Sequence, residues 1–230
     1  MVILDRPIAH WWFEDRTKIE TFVEPGRMRS LIDMCEKCIS ILKRYELLSP
    51  SKILLSNRWL FNEKVGEQVK WQLIQKGDIL IDYPSYNENE LATYFLDWLK
   101  KEQGATGYVY PCFIQIIGEG KLINQDGVKQ GFKNVVSIEA RFTEALVVDV
   151  ITYSTAWLPN TLAGEPQQEI YKWNAPRLEK ALYEIEATLG AEVIIDDVNE
   201  FCHINGYRLD NVRDDDGEVI PIDEKGRIIG

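Results

Sequence analysis

Chemically versatile side chains are scarce in this chain. Its 230 residues include four cysteines, two histidines and three methionines. So few cysteines in this length argue against a disulfide scaffold. No uninterrupted apolar run approaches the ~20 residues a membrane-spanning helix needs. Positive charge is also short: 26 Lys and Arg against 37 Asp and Glu leave a net charge of −11. That balance argues against a general binder of nucleic acid or of an anionic membrane, and it suits a basic partner. The opening Val2-Ile3-Leu4 is broken at once by Asp5, Arg6 and Pro7, which is no signal peptide. The sequence therefore predicts a cytoplasmic protein.

Apolar residues make up 45% of the chain, enough for a substantial core. The pattern predicts one α+β domain over 1–230, a mainly antiparallel sheet with about three helices packed on it. Residues 191–230 form its acidic, β-rich end. Early on, His10-Trp11-Trp12-Phe13-Glu14-Asp15 reads as core packing with a polar tip, or else as a ligand pocket. Thr21-Phe22-Val23 reads as a short strand. From Arg27 to Leu48, Leu31, Cys35, Cys38, Leu42 and Tyr45 fall on one helical stripe. The C-x-x-C pair thus sits inside a helix, whereas a redox pair normally occupies a helix N-terminus. A zinc site would need a second ligand pair, and Cys112 and Cys202-His203 are distant in sequence. Buried thiols are the reading that fits.

Ile53-Leu54-Leu55 starts a strand. Val69 to Tyr83 reads as a hairpin about Lys76-Gly77-Asp78. A second helix begins near Tyr86, with Leu91, Tyr94, Phe95, Trp98 and Leu99 on one face and Gly104 as its stop. Tyr108 to Ile117, Gly131 to Phe142 and Ala145 to Tyr153 read as three strands, with a loop or small hairpin between the first two. Gly118-Glu119-Gly120 is not a phosphate loop, because no lysine-hydroxyl pair and no helix follow it. Glu139, Arg141 and Glu144 form either an acid/base group or the solvated face of a sheet.

The stretch from Ala145 to Gly190 organises the rest. Val147, Val148, Val150 and Ile151 make a buried strand. The loop after it carries Trp157-Leu158-Pro159 and Leu162, apolar enough to lie against the domain. Asn174 is a candidate N-cap, with Pro176 in the first turn of the helix it opens. Leu178, Ala181, Leu182, Ile185 and Leu189 form the apolar face, and Gly190 ends it.

The residues Trp157, Leu158, Pro159, Leu162, Gly164, Pro166, Gln167, Glu169, Tyr171, Asn174, Ala175, Pro176, Arg177 and Leu178 form a W-L-P-x-x-L-x-G-x-P-Q-x-E-[IV]-Y-x-x-N-A-P-R-L string. It covers about a fifth of the chain and resembles bacterial proteins of the immunity type, encoded beside secreted polymorphic toxins. Such proteins often continue into an aspartate-rich segment, as this one does. The resemblance implies a binding protein that neutralises a cognate toxin by occluding it, with no cofactor and no catalytic group. No motif assigns the toxin.

Residues 191–230 hold eleven acidic and four basic side chains, a net of −7. Apolar residues recur among them, so short strands joined by Asp-Gly and Lys-Gly turns fit better than a disordered tail. Asp214-Asp215-Asp216-Gly217 invites a calcium reading, but an EF-hand loop would need an acid at Val212 and glutamate in place of Asp223. No metal or cofactor ligand set is assigned. The candidate partner-binding residues are Asp196, Asp197, Asp214, Asp215, Asp216, Glu218 and Asp223, facing a basic toxin. A nuclease fits, because its polyanionic substrate demands a basic surface. Trp157 is either an anchor for that partner or a buried structural residue. One alternative is a hydrolase of unrecognised type, drawing on His10, His203 or carboxylates. Another is a scaffolding protein with no toxin partner. A pocket of convergent carboxylates with raised pKa values would favour an enzyme. A flat acidic face would favour a binder.

Overall fold

A computed structural model of the chain describes residues 1–15, 25–55, 58–65, 68–75, 78–83, 97, 108–111, 113–142, 145–195 and 199–229. The architecture is α+β, with sheets paired antiparallel throughout the described strands. The main sheet has eight strands. From one edge they are β11 (Glu192–Ile195), β1 (Ala9–Asp15), β10 (Leu146–Thr152), β9 (Val136–Phe142), β7 (Phe113–Ile123), β2 (Ser49–Leu55) and β5 (Ile79–Asp82), with β8 (Lys129–Lys133) also paired to β7. A three-stranded sheet joins β4 (Gln68–Gln75), β3 (Arg58–Val65) and β6 (Tyr108–Pro111). A hairpin pairs β12 (Cys202–Asn205) with β13 (Arg208–Asn211).

Alternation along the strands decides what each face of the main sheet does. Trp11, Val150, Ile138, Ile116 and Ile53 align across it in one row. Phe13, Val148, Ala140, Ile114 and Leu55 align in the next. All ten are buried, in one core with Leu31, Cys35, Cys38, Ile39 and Leu42 of α1 (Pro25–Arg44) and Leu178, Ala181, Leu182 and Ile185 of α2 (Gln168–Leu189). Both helices therefore lie on this face. These are the two α-helices with described bounds. Of the helix expected from Tyr86, Asp97 alone is described, and it is helical. The strand at Thr21-Phe22-Val23 and the turn at Lys76-Gly77 lie outside the described residues. In α1 burial pushes the Cys38 thiol up to about 12 and raises Cys35 as well, which makes both poor nucleophiles.

α1 is stopped two residues past Arg44 by Glu46, which takes a left-handed φ of 56°. Leu47 N–H donates to Leu42 O at 2.8 Å and Glu46 N–H to Lys43 O at 2.9 Å, the paired bonds of a Schellman stop. Lys121 and Lys129 from the β7–β8 hairpin both bond the Glu46 carboxylate and hold it down to about 2. The Gly118-Glu119-Gly120 string has a packing cause. A Cβ at Gly118 would sit 2.0 Å from Ser49 O, and one at Gly120 2.3 Å from Leu47 O.

Several expected boundaries shift. β4 pairs with β3 rather than with β5, so Val69 to Tyr83 is not a hairpin. Instead β5 pairs with β2. The expected strand from Tyr108 to Ile117 is two, β6 and β7, in different sheets. That from Gly131 to Phe142 splits into β8 and β9 at Asn134, whose φ is 54°. The last helix begins at Gln168, so Asn174 is not its N-cap and Pro176 lies inside it. Helix-compatible residues precede Asn174, and the buried asparagine has another task. Its Oδ1 accepts from Ile123 N–H at 2.9 Å, and its Nδ2 donates to Ile123 O at 2.7 Å. This closes the free end of β7 onto α2. Asn174→Ala should cost roughly 2 kcal/mol by orphaning both backbone groups, read as a lower urea midpoint at unchanged m-value.

Candidate functional site

The W-L-P…N-A-P-R-L string serves the fold. Trp157 is buried in a 3-10 turn, Thr155–Trp157, and its indole N–H donates to Thr152 Oγ1 at 2.6 Å. Gln167 Nε2 donates to the carbonyls of Thr155 and Leu158 at 2.7 and 2.9 Å, tying the loop to its own start. Arg177 Nη1 donates to Lys121 O at 2.9 Å and its Nη2 to Tyr45 O at 2.5 Å, so it bridges β7 and the chain after α1. Burial pushes its pKa down. Trp157 is thus a structural residue and no exposed anchor.

One turn is used three times in the chain, once between β7 and β8 and twice in the acidic end. Asn124-Gln-Asp-Gly127-Val128, Asp214-Asp-Asp-Gly217-Glu218 and Asp223-Glu-Lys-Gly226-Arg227 share it. In each, the first residue's Oδ1 accepts from the N–H groups two and four residues on. In each, the glycine N–H donates back to the first residue's carbonyl. The glycines have φ of 77°, 85° and 76°, which explains why glycine stands there. The last two turns are flanked by isolated bridges, Arg213 with Val219 and Ile222 with Ile228. Ile222 N–H donates to Leu162 O at 2.8 Å, fastening the segment to the central loop.

Among the expected contact residues, Asp214 and Asp223 commit a carboxylate oxygen to these turns. Arg227 doubly bonds the other oxygen of Asp223 and holds its carboxyl down to about 2. Asp215, Asp216 and Glu218 are exposed on the first of the two turns. Asp196 and Asp197 lie outside the described residues. Exposed Ile228 and Ile229 follow the second turn.

A second constellation lies on the sheet face turned away from the helices. Trp12 stands opposite Asp149, and Asp149 opposite Glu139, across β1, β10 and β9. Asp149 is only 1% exposed. Arg141 bonds its Oδ2, and Arg141 Nε lies 3.6 Å from Glu139. The guanidinium sits 5.6 Å over the Trp12 ring, and His10 meets that ring edge-on at 4.7 Å. Burial drives the Asp149 carboxyl up to about 7, against the pull of Arg141, and Glu139 adds to the rise. Burial raises Glu139 too. The Trp12 indole N–H leans toward Asp149 and lowers its pKa slightly without closing a hydrogen bond. A cavity of about 190 Å³ adjoins the group, lined by Trp12, Glu14, Arg141, Val147 and Ile194.

Of the expected acid/base set, the structure brings Glu139 and Arg141 together, and Glu144 lies outside the described residues. Asp149 is the member the sequence reading missed. Its signal was a carboxylate embedded in the β-branched run Val147-Val148-Asp149-Val150-Ile151. Cys202 is buried, donates to Ile8 O at 3.2 Å, and is pushed up to about 12 by burial, so it is no partner for His203. Compared with known proteins, the chain matches no family model, no curated protein and no solved structure.

Proposed function

We propose that this chain is an immunity-type binding protein that neutralises a basic toxin, a nuclease being the partner its charge suits, by direct occlusion in the cytoplasm. The observation that carries the reading is the acidic end. The first of two like turns holds Asp215, Asp216 and Glu218 on an ordered, exposed edge, and Ile228, 72% exposed, and Ile229, 45% exposed, follow the second. Fixed carboxylates steer a basic surface at little entropic cost. Adjacent exposed aliphatic side chains supply the apolar contact that slows dissociation.

The test is co-expression with the product of the neighbouring gene, followed by co-purification and growth. A stoichiometric complex and rescued growth are expected. Asp215→Lys with Asp216→Lys should slow association roughly tenfold at low salt, with the gap closing as salt rises. Those positions hold no turn bond through their side chains, so circular dichroism should be unchanged. A neighbour that is neither toxic nor bound removes this reading.

The second reading is a hydrolase, favoured by Glu139 and the raised Asp149 beside a cavity. Hydrolysis by the purified chain that Asp149→Asn abolishes would support it.

A further inference from the structure

We propose that the solvent face of α2 is a homodimer interface, on which two copies of this chain pair their α2 helices antiparallel about a twofold axis. Glu169, Trp173, Pro176, Lys180, Tyr183 and Ala187 are all exposed. At 100° per residue they fall within about 80° of arc, opposite the buried stripe of Leu178, Ala181, Leu182 and Ile185. Trp173 is 44% and Tyr183 54% exposed, and they are the two large aromatic side chains left exposed among the described residues. They stand ~15 Å apart along the helix. Each is braced from one side: Lys172 Nζ lies 5.5 Å over the Trp173 ring, and Tyr183 meets Tyr207 edge-on at 4.5 Å. α1, in the same layer, differs. Its exposed positions Arg29, Asp33, Lys37, Lys43 and Arg44 are all charged.

Spacing and charge select a second copy as the occupant. The stripe reads alike from either end, its steps of four and three residues alternating symmetrically about a centre between Pro176 and Lys180. An antiparallel pair centred there sets Trp173 against Tyr183 of the other copy, and Pro176 against its Lys180, each twice. In the same register Lys172 stands opposite Glu184 of the other copy, an opposite-charge pair that the axis also repeats. Within its own chain Lys172 has only Glu169 at 3.8 Å, and its side chain is 65% exposed. Glu184 is held by Arg44 and keeps 34% of its side chain exposed. Antiparallel helices also set opposite macrodipole ends side by side. The net charge of −11 repels a second copy on most approaches. The helix layer is the exception, because α1 and α2 together carry eight basic and six acidic side chains, a net of +2. The same charge makes this layer a poor seat for a basic toxin. The interface shares no residue with the acidic edge, so it stands apart from the proposed function.

The test is sedimentation velocity of the full chain over a range from micromolar to several hundred micromolar. One helix against one helix lies toward the small end of specific interfaces, so mass should rise from 26.6 kDa toward twice that value with a midpoint in the tens of micromolar. Trp173→Glu removes both aromatic pairs and should weaken association roughly thirtyfold, with circular dichroism unchanged at this exposed position. Lys172→Glu and Glu184→Lys should each weaken it roughly tenfold, because two like-charge pairs then face each other. An equimolar mixture of those two variants should associate as the wild type does, since every such pair is again of opposite charge. A purely structural role for either residue gives no such rescue. A chain that stays monomeric at the top concentration overturns the proposal, as does a dimer that Trp173→Glu leaves intact, or a mixture no more associated than its components. A chain monomeric alone whose co-expressed partner is lost with Trp173→Glu also overturns it, by assigning the stripe to the toxin.

Discussion

Gly118→Ala should lower the melting temperature by roughly 10 °C, and the double variant with Gly120→Ala should fail to fold. The new Cβ at Gly118 would lie 2.0 Å from Ser49 O, 2.7 Å from Ser49 C and 2.8 Å from Pro50 Cα. Backbone atoms, unlike the tip of a long side chain, cannot swing aside. Relief must come from separating β2 and β7, which are joined at Pro50 and Gly118 near a register shift. Overpacking of that kind costs about 3 kcal/mol or more, and in a chain of this size each kcal/mol moves the midpoint by about 2–4 °C. Gly131→Ala, in neighbouring β8, is the control. Nothing lies within 4 Å of its would-be Cβ, so the change should stay within ~0.5 kcal/mol. Equal melting temperatures for the Gly118 and Gly131 variants would mean that β2 and β7 do not approach as described.

The same pairing marks where sequence reading stops. Helical spacing told which residues of α1 face the core, because the Leu31–Leu42 stripe buries itself whatever lies beyond. The aromatic string at His10–Asp15 was legible as core packing, but not that Trp11 and Phe13 face the helices while Trp12 faces the other side of the sheet. Alternation did not tell which strand neighbours which. Val69, Trp71 and Leu73 alternate equally well whether β4 pairs with β3 or with β5, and it pairs with β3. Pro176 misled for a related reason. Proline suits a first helical turn on local grounds, but the tertiary bonds of Asn174 to Ile123 keep the helix running from Gln168. The turns of the acidic end were legible as Asp-Gly and Lys-Gly punctuation, but not as repeats of one turn that also closes β7 onto β8. That Asp214 and Asp223 spend their oxygens inside those turns depends on geometry alone.

The immunity resemblance bears differently on fold and function once its residues are placed. Trp157, Gln167, Asn174 and Arg177 bond the loop, β7 and the chain after α1, and none presents its polar atoms to a partner. A protein sharing that string would share these joints. The residues proposed to meet a partner, Asp215, Asp216, Glu218, Ile228 and Ile229, lie outside it. Under the proposed function, toxin specificity would vary on the acidic edge while the joints stay fixed.

Asp149 should make the protein less stable as pH rises from about 4 to 7, the reverse of the trend that paired carboxylates usually give. Its carboxyl titrates near 7 when folded, against an ordinary value of 3.8. Between those two values the folded state holds a proton that the unfolded chain has released. Stability therefore falls with rising pH across that window and levels off above it. At about 1.4 kcal/mol per pKa unit the full change is about 4 kcal/mol. Glu46 acts in the opposite sense. Lys121 and Lys129 hold it down to about 2, so its contribution is present above its ordinary value of 4.5 and is lost only as pH falls from there toward 2. The two windows barely overlap, so urea midpoints from pH 4 to 8 isolate Asp149. Asp149→Asn keeps the shape and removes the titration. Its midpoint should be nearly flat over that range, apart from the smaller slope of Glu139, which burial also raises. Asparagine mimics the neutral carboxyl, so its curve should start close to the wild type at pH 4, where Asp149 is still largely protonated, and lie above it by pH 8, where the wild type holds a buried carboxylate. Parallel curves across the whole range would show that the proton resides elsewhere. Glu139, which shares Arg141, would then be the group to replace.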